Sequence, residues 1–291
     1  MLKLRHSRIW LHAYCPMKEY LFYLTRDDTI ELVTGPMIIG TAIHKMFAAC
    51  VDNGEAMPFD EAMYSSIENM GNVNINFDPK EVNTWIDKAN DPDTFYGLNL
   101  LQIVEGCVTG VVSMLDDVSV EVPLSRVVDD VEFTGTADII GKFRGATAIF
   151  DVKTAGLANR LIYGKPIRGQ SMTEDMVREH RQLKHYAWLL GLKPDSIFRA
   201  GIVLPANAVP YDSGKDRGKP RGPLCVSAGS TPGFIGDDIL SLADSIKRGT
   251  RIRNRPLTMG NPDCATCPAL KPCSTNSVER IEDINLDYWE P

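Results

Sequence analysis

"FTGTADIIGKFRGATAIFDVKT", residues 133–154, sets two runs of β-branched and aromatic residues on either side of Arg144-Gly145. Such runs with turn residues between them read as paired strands. A two-residue turn at Arg144-Gly145, its glycine supplying positive φ, gives a hairpin in which opposed residue numbers sum to 289. A four-residue loop over 143–146 gives the same register, and a three-residue loop breaks it. Asp138 then lies opposite Asp151. Alternation places Ala137, Ile139, Ala148, Phe150 and Val152 on one apolar face, and Thr136, Asp138, Asp151 and Lys153 on the other. Opposed Cβ atoms lie roughly 4.5–5.5 Å apart, where like charges repel. Two carboxylates kept there most simply share a divalent cation, and oxygen ligands suit Mg²⁺ or Mn²⁺. Lys153, on the same side, can orient a nucleophile and offset developing negative charge. The plainer alternative is a surface hairpin with Lys153 neutralising one acid.

The rest of the chain reads as an α/β protein of 291 residues, 44% hydrophobic and 24% charged. A core of full size fits that length. The N-terminal residues lack the apolar core of a signal peptide, and no apolar run approaches a bilayer-spanning length. The expectation is a cytoplasmic protein without a membrane partner. The net charge of −7 disfavours nucleic acid as a bulk property. Basic residues nevertheless concentrate in 178–185, 214–222 and 247–255, and a solvated surface accounts for any one such run as readily as a partner does.

Helices are expected over 8–24, broken at Cys15-Pro16, and over 37–51. Residues 53–117, punctuated by Pro58, Gly71, Pro79 and Pro92, read as a helical insertion. Strands follow over 118–127, 132–143, 146–154 and 196–205. A helix is expected over 172–190, with Ser171 and Glu174 as a capping box and Gly191 as its C-terminal glycine. A connection over 207–223, a short strand from 223 and a helix over 234–248 complete the pattern. The segments are 1–52, bearing one cluster cysteine and a histidine for the metal; 53–117, the insertion; 118–230, the core sheet and helix; and 231–291, a helix and a cysteine cluster. All are parts of one composite domain.

"GTADIIG…IFDVKT" resembles the PD-(D/E)XK nuclease superfamily, with Asp138 as its aspartate and Asp151-Val152-Lys153 as its D-x-K. Ala137 stands where the family usually has proline. "GTAIHKMF" is similar to the upstream helix of the RecB-like branch, with its histidine at His44, and "QLKHY" to its Q-x-x-x-Y element at Gln182 and Tyr186. Glu121 lies on the preceding strand, where the branch often has a glutamate. The resemblance implies a restriction-endonuclease-like mixed sheet flanked by helices. It implies metal ligation by His44, Asp138, Asp151 and the Val152 carbonyl, with Glu121 as an outer partner, and catalysis by Asp138, Asp151 and Lys153. Gln182 and Tyr186 share a helical face, where they can stack on a base, bond a phosphate, or simply pack. Arg178, Arg181, Lys247, Arg248, Arg251 and Arg253 are the candidate backbone contacts for DNA.

"DCATCPALKPC", residues 263–273, holds three thiols in a C-x₂-C-x₅-C pattern. Three soft ligands make an incomplete tetrahedron. The pattern, with Cys15 in a "CP" context far upstream, resembles the iron–sulfur nucleases of the AddB and CRISPR-associated exonuclease type. That resemblance implies a [4Fe–4S] cluster on Cys15, Cys264, Cys267 and Cys273, stapling the terminus to the first helix. Zinc suits four thiolates too. Cys50, Cys107 and Cys225 read as small apolar residues.

The resemblance implies a Mg²⁺- or Mn²⁺-dependent DNA exonuclease that acts on single-stranded ends and leaves a 5′-phosphate. Recombination, repair and CRISPR adaptation all use such chemistry and would supply protein partners. The rivals are a catalytically weak DNA-binding or assembly subunit and a hydrolase of small phosphoesters.

Overall fold

The structure is a computed structural model and describes residues 1–15, 19, 32–70, 74–169, 171–193, 196–230 and 236–249. Its strands are β1 (Leu2–Arg5), β2 (Leu32–Thr34), β3 (Asn74–Asn76), β4 (Asp116–Val128), β5 (Val131–Phe143), β6 (Ala146–Val152), β7 (Phe198–Val203) and β8 (Cys225–Ser230). Its helices are α1 (His6–Tyr14), α2 (Gly35–Asn53), α3 (Phe59–Glu68), α4 (Glu81–Asn90), α5 (Leu100–Val112), α6 (Ala155–Tyr163), α7 (Glu174–Arg178), α8 (Arg181–Leu189) and α9 (Gly236–Lys247). Six strands form an open mixed sheet in the order β1-β5-β6-β7-β8, with β4 also on β5; β2 and β3 form a separate parallel pair.

The hairpin at the centre has the expected register. Ile139 pairs with Phe150 and Phe143 with Ala146, around Arg144 and Gly145 with φ of 51° and 82°. Both turn residues are left-handed, the conformation that matches the twist of the flanking strands. β4 covers one edge of β5. The other edge is shared, β1 pairing in parallel with 131–134 and β6 antiparallel with 139–143. Between those two ladders lie residues 135–138, covered by neither.

Helices bury both faces of the sheet. On one side Ile38, Ile43 and Phe47 of α2, Ile103 of α5 and Leu157 of α6 pack with Ile139, Phe150 and Val203. On the other, Ile9 of α1, Leu183 of α8 and Ile239 of α9 pack with Phe133, Ile149 and Ile202. A fully buried Phe or Ile contributes about 1.5–3 kcal/mol. Gly201 is required by the first layer, because a Cβ there would stand 2.2 Å from the Phe150 ring.

One face assignment is corrected. Ala137 belongs to the second layer and Ile139 to the first, so alternation fails between them. β4 turns over at the same level: Val118 and Val120 pack on the first layer, Val122 and Leu124 on the second. A strand with strict period 2 cannot do this, so both strands are kinked at Asp138 and Glu121.

Other elements differ from expectation. β1 precedes α1, which begins at His6 and not after Ser7. α6 was not expected; it follows Lys153 with no side-chain cap at Thr154. The helix expected over 172–190 is two helices, because His180 is extended (φ −69°, ψ 110°) and Thr173, not Ser171, caps the first through Met176 N. Among the described residues, no helix is long and apolar enough to cross a membrane.

Candidate metal centre

The kink is where the acids gather. Glu121 takes φ 47°, a conformation costly for a residue with a Cβ. The ladder skips it: Val120 pairs with Ile139 and Val122 with Ala137, leaving Glu121 and Asp138 outside the pairing. Asp138 also falls in the stretch uncovered by β1 and β6. Its Oδ2 accepts a hydrogen bond from Val152 N at 2.6 Å, so a side chain takes the acceptor role that the ladder no longer supplies.

His44 comes down from α2. Gly40, one turn earlier, lets that helix approach the end of β6; a Cβ there would lie 3.1 Å from Thr154 Oγ1. His44 Nδ1 is 3.4 Å from Asp138 Oδ1 and 3.5 Å from Glu121 Oε1, while Nε2 faces the Val152 carbonyl at 3.1 Å. One ligand atom each from His44, Glu121 and Asp138 lies within 4.8 Å of the others. Burial opposes charge on His44, but hydrogen bonds to Asp138 and Glu121 and their negative charge outweigh it, raising its pKa to about 10. An imidazolium donates from both nitrogens, which matches acceptors on both sides of the ring.

Asp151 stands apart from that trio. It is 2% exposed, and Lys153 Nζ approaches its Oδ2 to 2.5 Å, yet that oxygen lacks a hydrogen bond of acceptable angle. Burial raises its pKa to about 6, against the pull of Lys153 and with the repulsion of Asp138. Lys153 also donates to Gln182 Oε1 at 3.2 Å, and Gln182 Nε2 donates to Tyr186 Oη at 2.8 Å. The Tyr186 ring lies against Gly135, where a Cβ would stand 2.8 Å from Cε1. Burial, with the charges of Asp138, Asp151 and Glu121, pushes the phenol's pKa up. One connected set therefore contains His44, Glu121, Asp138, Val152, Asp151, Lys153, Gln182 and Tyr186.

Beyond Tyr186 the surroundings become histidine-rich. The His6 ring is 5.2 Å from that of His185 and 6.4 Å from that of Tyr186. Burial lowers the pKa of His185 to about 4, against a backbone hydrogen bond at Thr134. Burial, with Lys153 nearby, lowers His180 to about 4 as well, and burial with its cationic and histidine neighbours lowers His6 to about 3. Neither this group nor Gly135 was singled out from the sequence. His6, on α1, lies 174 and 179 positions from His180 and His185, so no local pattern joins them.

The basic residues expected to hold DNA have local partners. Arg178 pairs with Glu174 at 3.1 Å and Asp175 at 2.7 Å, Lys247 pairs with Asp130, and Arg248 pairs with Asp244 at 2.8 Å. The Arg181 guanidinium lies 4.7 Å from the Trp10 ring. Arg251 and Arg253 lie outside the described residues. So do Cys264, Cys267 and Cys273; Cys15 is half-buried at the C-terminus of α1. Burial pushes the thiols of Cys107 and Cys225 up to about 12, as suits residues that pack.

No protein-family model matches the chain, and no curated protein does. A likeness to the crystal structure of SSO0001 covers 92% of this chain and 95% of that one, at 11% identity and a TM-score of 0.32. At that distance the activity of this chain has to be read from its own residues.

Proposed function

We propose that the chain is a divalent-cation-dependent DNA exonuclease of the PD-(D/E)XK type, its sheet the restriction-endonuclease-like core of that group. The observation that carries this reading is the convergence of one ligand atom each from His44, Glu121 and Asp138 within 4.8 Å, beside the Lys153–Asp151 pair. One imidazole nitrogen and two carboxylate oxygens suit Mg²⁺ or Mn²⁺. Asp151, outside that trio and engaged by Lys153, is the further carboxylate of the proposed ligand set. The residues fit the ion.

The cation, when bound, supplies Lewis-acid polarisation and activation of water. His44 gives up a proton to ligate, because it is an imidazolium beside its two acids. Lys153 is held between Asp151 and Gln182 with its side chain 37% exposed, so its ammonium is aimed yet within reach of a water and a phosphoryl oxygen. Gln182 holds Lys153 on one side and Tyr186 on the other. The family resemblance implies hydrolysis that leaves a 5′-phosphate.

The thiols belong to the same proposal. His12 Nε2 contacts Ser245 Oγ at 3.0 Å, tying α9 to α1, the helix that ends at Cys15. Cys264, Cys267 and Cys273 follow α9 in the chain and lie outside the described residues. A [4Fe–4S] cluster is the preferred occupant, with zinc as the alternative.

A 5′-labelled single-stranded oligonucleotide incubated with Mn²⁺ tests the reading. Degradation by wild type and none by Asp138→Ala supports it. Binding without cleavage would favour an assembly subunit, and turnover of a small phosphodiester alone would favour a phosphoesterase. A brown sample with iron and sulfide on analysis, against zinc, decides the cysteine site. Work in recombination, repair or CRISPR adaptation follows from the chemistry as a class of partner.

A further inference from the structure

We infer that loops 164–169 and 207–222, at the far end of α6, form a contact surface for single-stranded nucleic acid that needs no metal. The choice of partner rests on the nuclease reading; the surface itself rests on separate observations. Residues 155–169 hold Arg160, Lys165 and Arg168 and no acid, and residues 207–222 hold Lys215, Arg217, Lys219 and Arg221 against Asp212 and Asp216. That is seven basic residues to two acidic ones, in a chain whose net charge is −7. A local excess of this sign in an acidic protein is a footprint for a polyanion.

The two loops form one surface. The Arg160 and Arg221 guanidinium groups lie 5.1 and 5.3 Å from the same Tyr96 ring, and Arg221 lies 4.8 Å from the Tyr211 ring. Gly169 sits so close that a Cβ would meet the Arg221 carbonyl at 2.7 Å. The connection over 207–222 is a built loop. Tyr211 N donates to Lys219 O, Gly218 N to Tyr211 O and Arg221 N to Asn207 O, each at 2.9 Å, and buried Asn207 donates to Pro223 O. Such a loop presents its side chains with little ordering cost on binding.

Arg160 and Arg221 are committed to this scaffold, donating to Thr94, Gly164 and Pro210 carbonyls. Lys165, Arg168 and Lys215 are exposed and have no carboxylate partner among the described residues, unlike Arg178, Lys247 and Arg248. Tyr163 is 57% exposed, with Lys165 Nζ 4.9 Å from its ring. An exposed ring with one cation beside it, on a surface that carries further unpaired cations, suits an unstacked base and its phosphates; a duplex hides the base faces. α6 starts two residues after Lys153 and its nine residues span about 13 Å, so a strand gripped here reaches the metal centre within a few nucleotides.

The test is fluorescence anisotropy of a labelled oligothymidylate with the full chain in EDTA, across a salt series. Lys165→Glu/Arg168→Glu/Lys215→Glu should weaken binding at least about tenfold and flatten the salt slope by roughly two to three. Tyr163→Ala should weaken binding severalfold and leave the slope unchanged. Circular dichroism and Mn²⁺ binding of these exposed-site variants should match wild type. Wild-type affinity and slope in the triple variant, or no wild-type binding in EDTA, overturns the surface. Equal binding of a blunt duplex overturns the single-strand assignment. A wild type that cuts while the triple variant binds normally fails only the surface; a wild type that binds here and never cuts fails only the nuclease reading.

Discussion

His44 and His185 are both largely buried imidazoles on helices packed against the same sheet, yet they hold opposite charge states at neutral pH. Asp138 and Glu121 face His44 and raise its pKa to about 10. His185 is 0% exposed among His6, Tyr186 and Trp188, and desolvation lowers its pKa to about 4. Burial acts in the same direction on both. The difference is the partner: carboxylates face His44, whereas aromatic rings and another imidazole surround His185.

The sharpest way to break the contrast is Asp138→Ala, which removes the partner of His44 and the acceptor of Val152 N together. Loss of an outer partner of a metal ligand costs about 10–100-fold. Loss of a ligand should therefore exceed about 100-fold in Mn²⁺-dependent cleavage, and the His44 imidazole resonances should titrate closer to 6.5. Lys153→Ala should cost about 100-fold in turnover while oligonucleotide affinity in EDTA stays near wild type, because it removes a charge aimed at the reaction.

The neutral side predicts stability. A histidine whose folded pKa lies below its unfolded value binds fewer protons when native, so stability falls as pH drops from about 6.5 to 4. For His185 the whole effect is of order 3 kcal/mol. His185→Leu should flatten the acid limb of urea-unfolding midpoints measured across pH 4–7. His44 has the opposite sign: its contribution is fully present below about 6.5 and is lost as pH rises through about 10. The smallest effect belongs to Glu121→Gln, which keeps an oxygen donor at the proposed site without its charge and leaves Asp138 beside His44. Mn²⁺ affinity should fall about tenfold, and calorimetry in buffers of different ionisation enthalpy should still find close to one proton released at pH 7.

The hairpin was readable because Gly145 fixes a turn and a turn fixes a register. The opposition of Asp138 and Asp151 followed from counting, and His44 from the resemblance carried by "GTAIHKMF". The kink was not readable. Nothing in "VSVEVPL" signals that Glu121 is left-handed, since that conformation is imposed by the strands around it. Ala137 was placed on the wrong face for the same reason. α6 lacks a side-chain cap and contains Gly156, and the extended His180 interrupts a helical pattern without glycine or proline. β1 is four residues long and gains its meaning only from the edge of β5, more than 120 positions away. Local chemistry specified what tertiary contact did not override.

The division of labour within Asp138 bears on ion choice. One of its oxygens already accepts from the Val152 amide, so at the proposed centre chelation by both oxygens would compete with that hydrogen bond. A large ion such as Ca²⁺, which seeks six to eight oxygens and favours chelation by both arms of a carboxylate, is poorly served. A small octahedral ion that keeps several of its own waters loses nothing by the arrangement.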